Sequence, residues 1–254
     1  MLRSTFLTVA ILSLAGCPGK SGDDTASGDD TGSADGVCTE PTEVDCIDEI
    51  ISDLSLQDDK VNEDDVSTET DGDDFVSYVD ASAGGYGNET RHAWQYLKFT
   101  DTGLEDVNIN DEDALESMDW DIAARRFILR LNGGSSGPSC VGAATMGEGY
   151  TYENLEEAPD GITYATDDFY SDDCTMINDS SGLEGSPQTV LAPWWNYESC
   201  VETSDQPFLI QLADGRVLKF VVEAYYEGAG QDECNQDGST MEAGGYFQWR
   251  WRFL

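Results

Sequence analysis

The chain has 254 residues and a net charge of −40, from 52 Asp and Glu against 12 Lys and Arg. A surface this acidic repels phosphate backbones and anionic headgroups, which are held by clustered Lys and Arg, so nucleic acid is excluded as a partner. One histidine in the whole chain leaves little material for a Cys/His zinc site or for catalysis built on a histidine base.

At the amino terminus Arg3 precedes an apolar run from Phe6 to Leu14 that closes in Leu14-Ala15-Gly16-Cys17. Small residues before a cysteine that accepts diacylglycerol are the pattern of a signal peptide with a lipobox, so residues 1–16 are expected to be removed and Cys17 to be lipidated. A membrane span needs about 20 apolar residues, and this run stops well short. Pro18 stands where an inner-membrane retention signal often places Asp. The expected location is therefore the outer membrane, periplasmic or surface-facing, with membrane lipid the first partner.

Residues 17–36 hold the lipidated cysteine and a linker of Gly, Ser, Thr, Asp and Ala, which cannot bury enough apolar surface to offset chain entropy and reads as a disordered tether. Residues 37–74 form an acidic leader in which Ile47, Ile50, Ile51 and Leu54 recur at helical spacing, predicting one short helix. From 75 to 254 the texture changes to short runs of Val, Ile, Phe, Tyr and Trp punctuated by Gly, Asp, Asn and Ser. That predicts an all-β domain of antiparallel sheets.

Within this domain, residues 92–100 and 120–131 read as strands, although Ala123 and Ala124 could equally start a helical turn. Phe208 to Ala213 and Arg216 to Tyr226 flank Asp214-Gly215, which predicts a two-residue hairpin turn with Ala213 opposite Arg216 and Leu209 opposite Phe220. In the closing strand Phe247, Trp249, Trp251 and Phe253 share one face, with Gln248, Arg250 and Arg252 on the other. The acid-rich interval 156–188 reads as a long loop tied down by Cys174.

With Cys17 lipidated, Cys38, Cys46, Cys140, Cys174, Cys200 and Cys234 remain. An even number in an exported chain without a CxxC pair points to structural disulfides. Neighbour pairing, Cys38 with Cys46, Cys140 with Cys174 and Cys200 with Cys234, is the first expectation.

Three features together resemble the heme-binding HmuY family of bacterial lipoproteins. Trp120-Asp121-Ile122-Ala123 leads through Arg126 to Asn132-Gly133-Gly134-Ser135-Ser136-Gly137, the hairpin at Asp214-Gly215 carries Lys219-Phe220, and the chain closes on the aromatic strand after Gly245-Tyr246. The resemblance implies a β domain that captures heme between sheets and loops and passes it to a receptor. It also implies iron ligands, paired histidines or methionines, from loops after the Asn-Gly-Gly turn. Here the only histidine, His92, precedes that turn. The candidate heme-binding residues are therefore Met146 and Met176, each of which could equally fill a gap in the core.

The other candidates carry two readings each. His92 is an exposed strand residue or a lone ligand. Trp194, Trp195 and Tyr197 either stack on a porphyrin or fill the core. Arg125, Arg126 and Arg130 hold propionates or neutralise neighbouring carboxylates. Gly133 to Gly137 forms a tight turn, lacking the Lys and helix of a phosphate loop. Asp106-Val-Asn-Ile-Asn110 has alternating oxygen ligands like the start of a calcium loop but lacks the glycine and distal Glu, and reads otherwise as a solvated loop. No nucleophile elbow is present, no catalytic residue is assigned, and the chain reads as a binder rather than an enzyme. The expected function is a lipid-anchored surface protein that binds heme or a similar flat hydrophobic ligand. The alternative is a non-catalytic structural or adhesive surface lipoprotein that has lost heme binding.

Overall fold

The structure is a computed structural model that describes residues 37–181, 183 and 185–254; the expected signal peptide, Cys17 and the linker to residue 36 lie outside them. Alternation of large apolar with polar side chains builds a six-stranded antiparallel sheet. It comprises β1 (Val66–Asp71), β2 (Asp74–Asp80), β7 (Gly142–Thr145), β10 (Phe208–Gln211), β11 (Val217–Tyr226) and β12 (Gly244–Phe253), in the order β1-β2-β12-β11-β10-β7. A second sheet joins β3 (Gln95–Thr100), β4 (Gly103–Asp106), β5 (Ile122–Arg125) and β6 (Ile128–Leu131) in the order β4-β3-β5-β6. A small ribbon pairs β8 (Trp195–Tyr197) with β9 (Val201–Thr203).

The two large sheets meet across one apolar cluster. Phe247, Trp249 and Trp251 of β12 and Phe220 of β11 face Leu97 and Phe99 of β3 and Ile122 of β5. The Phe99 ring meets Trp251 edge-on with centroids 4.9 Å apart. Burying each such side chain contributes roughly 1.5–3 kcal/mol, so this layer dominates the stability of the sandwich. The other face of the four-stranded sheet is also covered: Tyr96, Trp120 and Ala123 pack against Ile50 and Leu54 of the expected helix, α1 (Ile47–Asp53), and against Phe169. Both faces of that sheet are therefore dry.

Three expectations are corrected. Residues 120–131 do not form one strand, because Arg126 takes a φ of 53° and turns β5 tightly into β6, with Arg125 opposite Ile128. The Asp-Gly hairpin is shifted by one residue, placing Phe208 opposite Phe220 and Leu209 opposite Lys219. Its loop is three residues long, with Leu212 N–H donating to Arg216 O at 2.8 Å and Gly215 at φ 86°. Glycine at the left-handed position is what a three-residue loop with a bulge requires. Finally, the disulfides join Cys38 to Cys140, Cys46 to Cys174 and Cys200 to Cys234, so only the last follows neighbour order. The first two span 102 and 128 residues and staple the leader onto the domain. The last ties the start of β9 to α3 (Gly230–Asp237), the helix that follows α1 and the short α2 (Asp111–Ala114).

Candidate functional site

The Asn-Gly-Gly turn after β6 is held from inside. Asn132 Nδ2 donates to Ser117 O at 2.9 Å and to Trp120 O at 2.8 Å, while its Oδ1 accepts from Ser139 N–H at 3.1 Å. Gly134 has φ 61°, and a Cβ there would stand 2.0 Å from Asp167 O, so only glycine permits this approach. Asp167, fully buried, is the knot between turn and loop. Its carboxylate accepts from Leu131 N–H at 3.0 Å, Ser136 Oγ–H at 2.6 Å and Val190 N–H at 2.8 Å. Burial nevertheless pushes its pKa up to about 6, because the hydrogen bonds only partly offset the loss of water.

This knot positions a cleft of about 510 Å³ beside the end of β7. Its walls include Thr145, Thr166, Asp168, Asp179, Gln188 and Trp195. Asp179 is already engaged, accepting from Ser181 Oγ–H at 2.5 Å and Ser186 Oγ–H at 2.7 Å. The lining mixes polar groups with Val190, Ala192, Pro193 and Trp195, and carries two carboxylates with no Lys or Arg. An anionic group entering it meets repulsion and no charge-assisted donor.

The expected ligands are not brought together. Met146 is 3% exposed, packed with Ala144, Leu155 and Leu209 on the outer face of the six-stranded sheet. Met176 is half-buried against the separate cluster that holds Phe169 and Trp120. Neither lines the cleft. His92 is exposed, and its ring lies over Gly84, where a Cβ would approach Nε2 to 2.6 Å. Trp194 and Trp195 are core residues, the latter against Phe127 at 4.8 Å between centroids, whereas Tyr197 is exposed.

The three arginines neither point to the cleft nor form an ion pair among the described residues. Arg125 donates to the carbonyls of Leu54, Ser55 and His92, and Arg126 to those of Ser82 and Gly244. Arg130, wholly buried, lies 4.2 Å above the Trp94 ring and donates to Tyr96 Oη at 3.1 Å. Arg125 covers Trp94 as well, at 4.6 Å. These cations are internal cross-links through carbonyls and aromatic faces.

Iron in a protein-held heme takes His, Met, Cys or Tyr. None of those residue types lines the cleft, and the six described cysteines are all consumed in disulfides. The residues present do not fit a heme whose iron is ligated by this chain in that cleft. Sequence reasoning missed Asp167, which no local signal separates from the rest of the 52 acidic residues; its partner turn, Asn132 to Gly137, was legible as a motif.

Residues 90–237 match the family described as HmuY protein. No curated protein matches the chain. Among solved structures, a candidate HmuY-like heme-binding protein from Bacteroides vulgatus is 19% identical, with 72% of this chain and 93% of the other covered at a TM-score of 0.43. The apo HmuY analog of Tannerella forsythia is 17% identical, with 77% and 99% covered and a TM-score of 0.42. A candidate lipoprotein from Bacteroides fragilis is 17% identical, with 72% and 91% covered and a TM-score of 0.46. Since the family match takes in more than half of the sequence, from the 3₁₀ turn before β3 to the end of α3, this chain belongs to the HmuY family.

Proposed function

We propose that this chain is an exported lipoprotein, anchored to the outer membrane through Cys17, that binds a ligand outside the cytoplasm without catalysing a reaction and without ligating heme iron through its own side chains. The observation that carries the reading is the cleft beside Thr145 and Trp195. It stands at the loops after the Asn-Gly-Gly turn, yet its walls are hydroxyls, amides, carboxylates and the apolar Val190, Ala192, Pro193 and Trp195, with no His, Met, Cys or Tyr. The frame of the family is kept, while its iron chemistry has no residue to act through at this place.

A second reading, heme binding as in the family at large, is favoured by one residue. Met176 is half-buried and so the more exposed residue of the candidate pair, Met146 being buried. Titrating the mature chain with hemin separates the two readings. The proposal expects no saturable Soret shift at micromolar protein, for the wild type and for Met176→Ala alike. A saturable shift that Met176→Ala abolishes overturns it and establishes the second reading.

A further inference from the structure

The outer face of the six-stranded sheet is divided by charge and ring content. At one end Lys219, directly opposite Arg252, is covered by the loop carrying Tyr152, whose backbone oxygen accepts from Lys219 Nζ at 2.7 Å. In the middle Arg250 is neutralised by Glu223 at 2.5 Å and Asp71 at 2.9 Å. At the far end three tyrosines stand on three adjacent strands: Tyr78 on β2, Tyr246 on β12 and Tyr226 on β11. Tyr78 pairs with Gln248 and Tyr246 with Asp80, so Tyr78 and Tyr246 are diagonal neighbours on one face. Tyr226 pairs with Gly244, two residues before Tyr246, which continues the row.

Tyr78 is 41% exposed, in a chain that buries most of its other large rings. The Tyr226 ring is fixed because its Oη accepts from Val201 N–H at 2.8 Å. The row lines a cleft of about 320 Å³ whose rim carries Asp65, Asp80 and Glu227. A neighbouring cleft of about 580 Å³ shares Tyr226 and Tyr246, and the one cation on its wall, Arg126, is directed to the Ser82 and Gly244 carbonyls. Aromatic faces are negative at their centres, and carboxylates around them add charge of the same sign. The net charge of −40 concentrates cations at every surface; here three rings and three carboxylates line one cleft, whereas Tyr150 beside Glu156 and Glu157 is a single ring.

We propose that this tyrosine row is a binding site for an organic cation, an ammonium or guanidinium group carried by a free small molecule or by a Lys or Arg side chain of a peptide. Ring faces take the cation's apolar surface, and Asp80, Asp65 and Glu227 supply the opposing charge. The site lies on a different face from the cleft at Thr145 and stands or falls independently of the reading of that cleft.

Calorimetric titration of the mature chain at fixed ionic strength tests it, with tetramethylammonium chloride and a capped Gly-Arg-Gly peptide as probes and sodium chloride as reference. The site predicts saturable heat for at least one organic cation beyond that of sodium. The simple ammonium alone identifies a small solute, and the peptide alone identifies a side chain. Tyr78→Leu and Tyr246→Leu keep apolar bulk and remove the ring, and each is expected to weaken binding about tenfold. Tyr150→Leu, at an exposed tyrosine on another cleft, leaves it unchanged. Three results overturn the proposal: equal heats for organic cations and sodium, saturable binding that survives both leucine variants, or binding of a neutral glucose oligomer with no response to either cation.

Discussion

Replacing Asp167 by Asn tests the electrostatic account of the knot beneath the cleft. The carboxyl is fully buried and its pKa is raised from 3.8 to about 6. The folded chain therefore holds this proton more tightly than the unfolded chain does. The associated stability is complete below pH 3.8 and is lost as pH rises through about 6. Two pKa units correspond to about 3 kcal/mol. Asn keeps the shape and one acceptor but cannot ionise, so it escapes that loss while leaving one former donor without its oxygen. Urea denaturation of wild type and variant from pH 4 to 7.5 reads the difference between them. Asp167→Asn is expected to be the less stable protein at pH 4 and to gain on the wild type by about 3 kcal/mol across the range. A difference that stays constant with pH refutes the reasoning. Asp167→Ala removes the acceptor for three donors, and it is expected to cost about 3–5 kcal/mol at neutral pH.

Gly134→Ala forces a Cβ against Asp167 O at a left-handed φ, and a loss of at least about 3 kcal/mol, read as a fall in Tm, is expected. Arg130→Ala opens a cavity beside Trp94 and removes the cation from its ring, with an expected cost of about 3–5 kcal/mol by urea denaturation; Arg130→Met, which keeps the volume, loses less. Removing the Cys46–Cys174 bridge by double serine substitution is expected to destabilise more than removing Cys200–Cys234, by about 1 kcal/mol, because it closes 128 residues rather than 34.

The inward face of β12 was legible because its apolar residues alternate without interruption, and alternation fixes phase as well as strand identity. In Phe208-Leu209-Ile210-Gln211-Leu212 the residues are almost uniformly apolar, so periodicity identifies a strand and leaves its phase open. Asp-Gly is compatible with a two- or a three-residue loop, and packing selected the latter: Phe208 and Ile210 enter the central core, while Leu209 turns outward to Met146. The break at Arg126 carries no glycine or asparagine to announce it. The pairing of Cys38 and Cys46 depends on where the leader crosses the domain, and no local spacing encodes that path.

Much the same division holds for the candidate site. The Asn132 to Gly137 turn was readable because glycine at φ 61° and a structural amide leave a motif. The burial of Met146, by contrast, is decided by its packing on Leu209 of β10, far from it in sequence. Arg125 and Arg130 were expected to meet carboxylates in so acidic a chain, yet their partners are carbonyls and Trp94, reached across β3. Composition set the average surroundings of a charge and gave no guide to the contacts of a buried one.

The central claim is that the family frame persists here without iron ligation by the chain. Comparing the affinity of the mature protein for hemin with its affinity for iron-free protoporphyrin IX tests this most directly. Equal affinities, or no binding of either, are the predicted result. Hemin bound about tenfold or more tightly than the iron-free ring, with a low-spin iron spectrum, would contradict it.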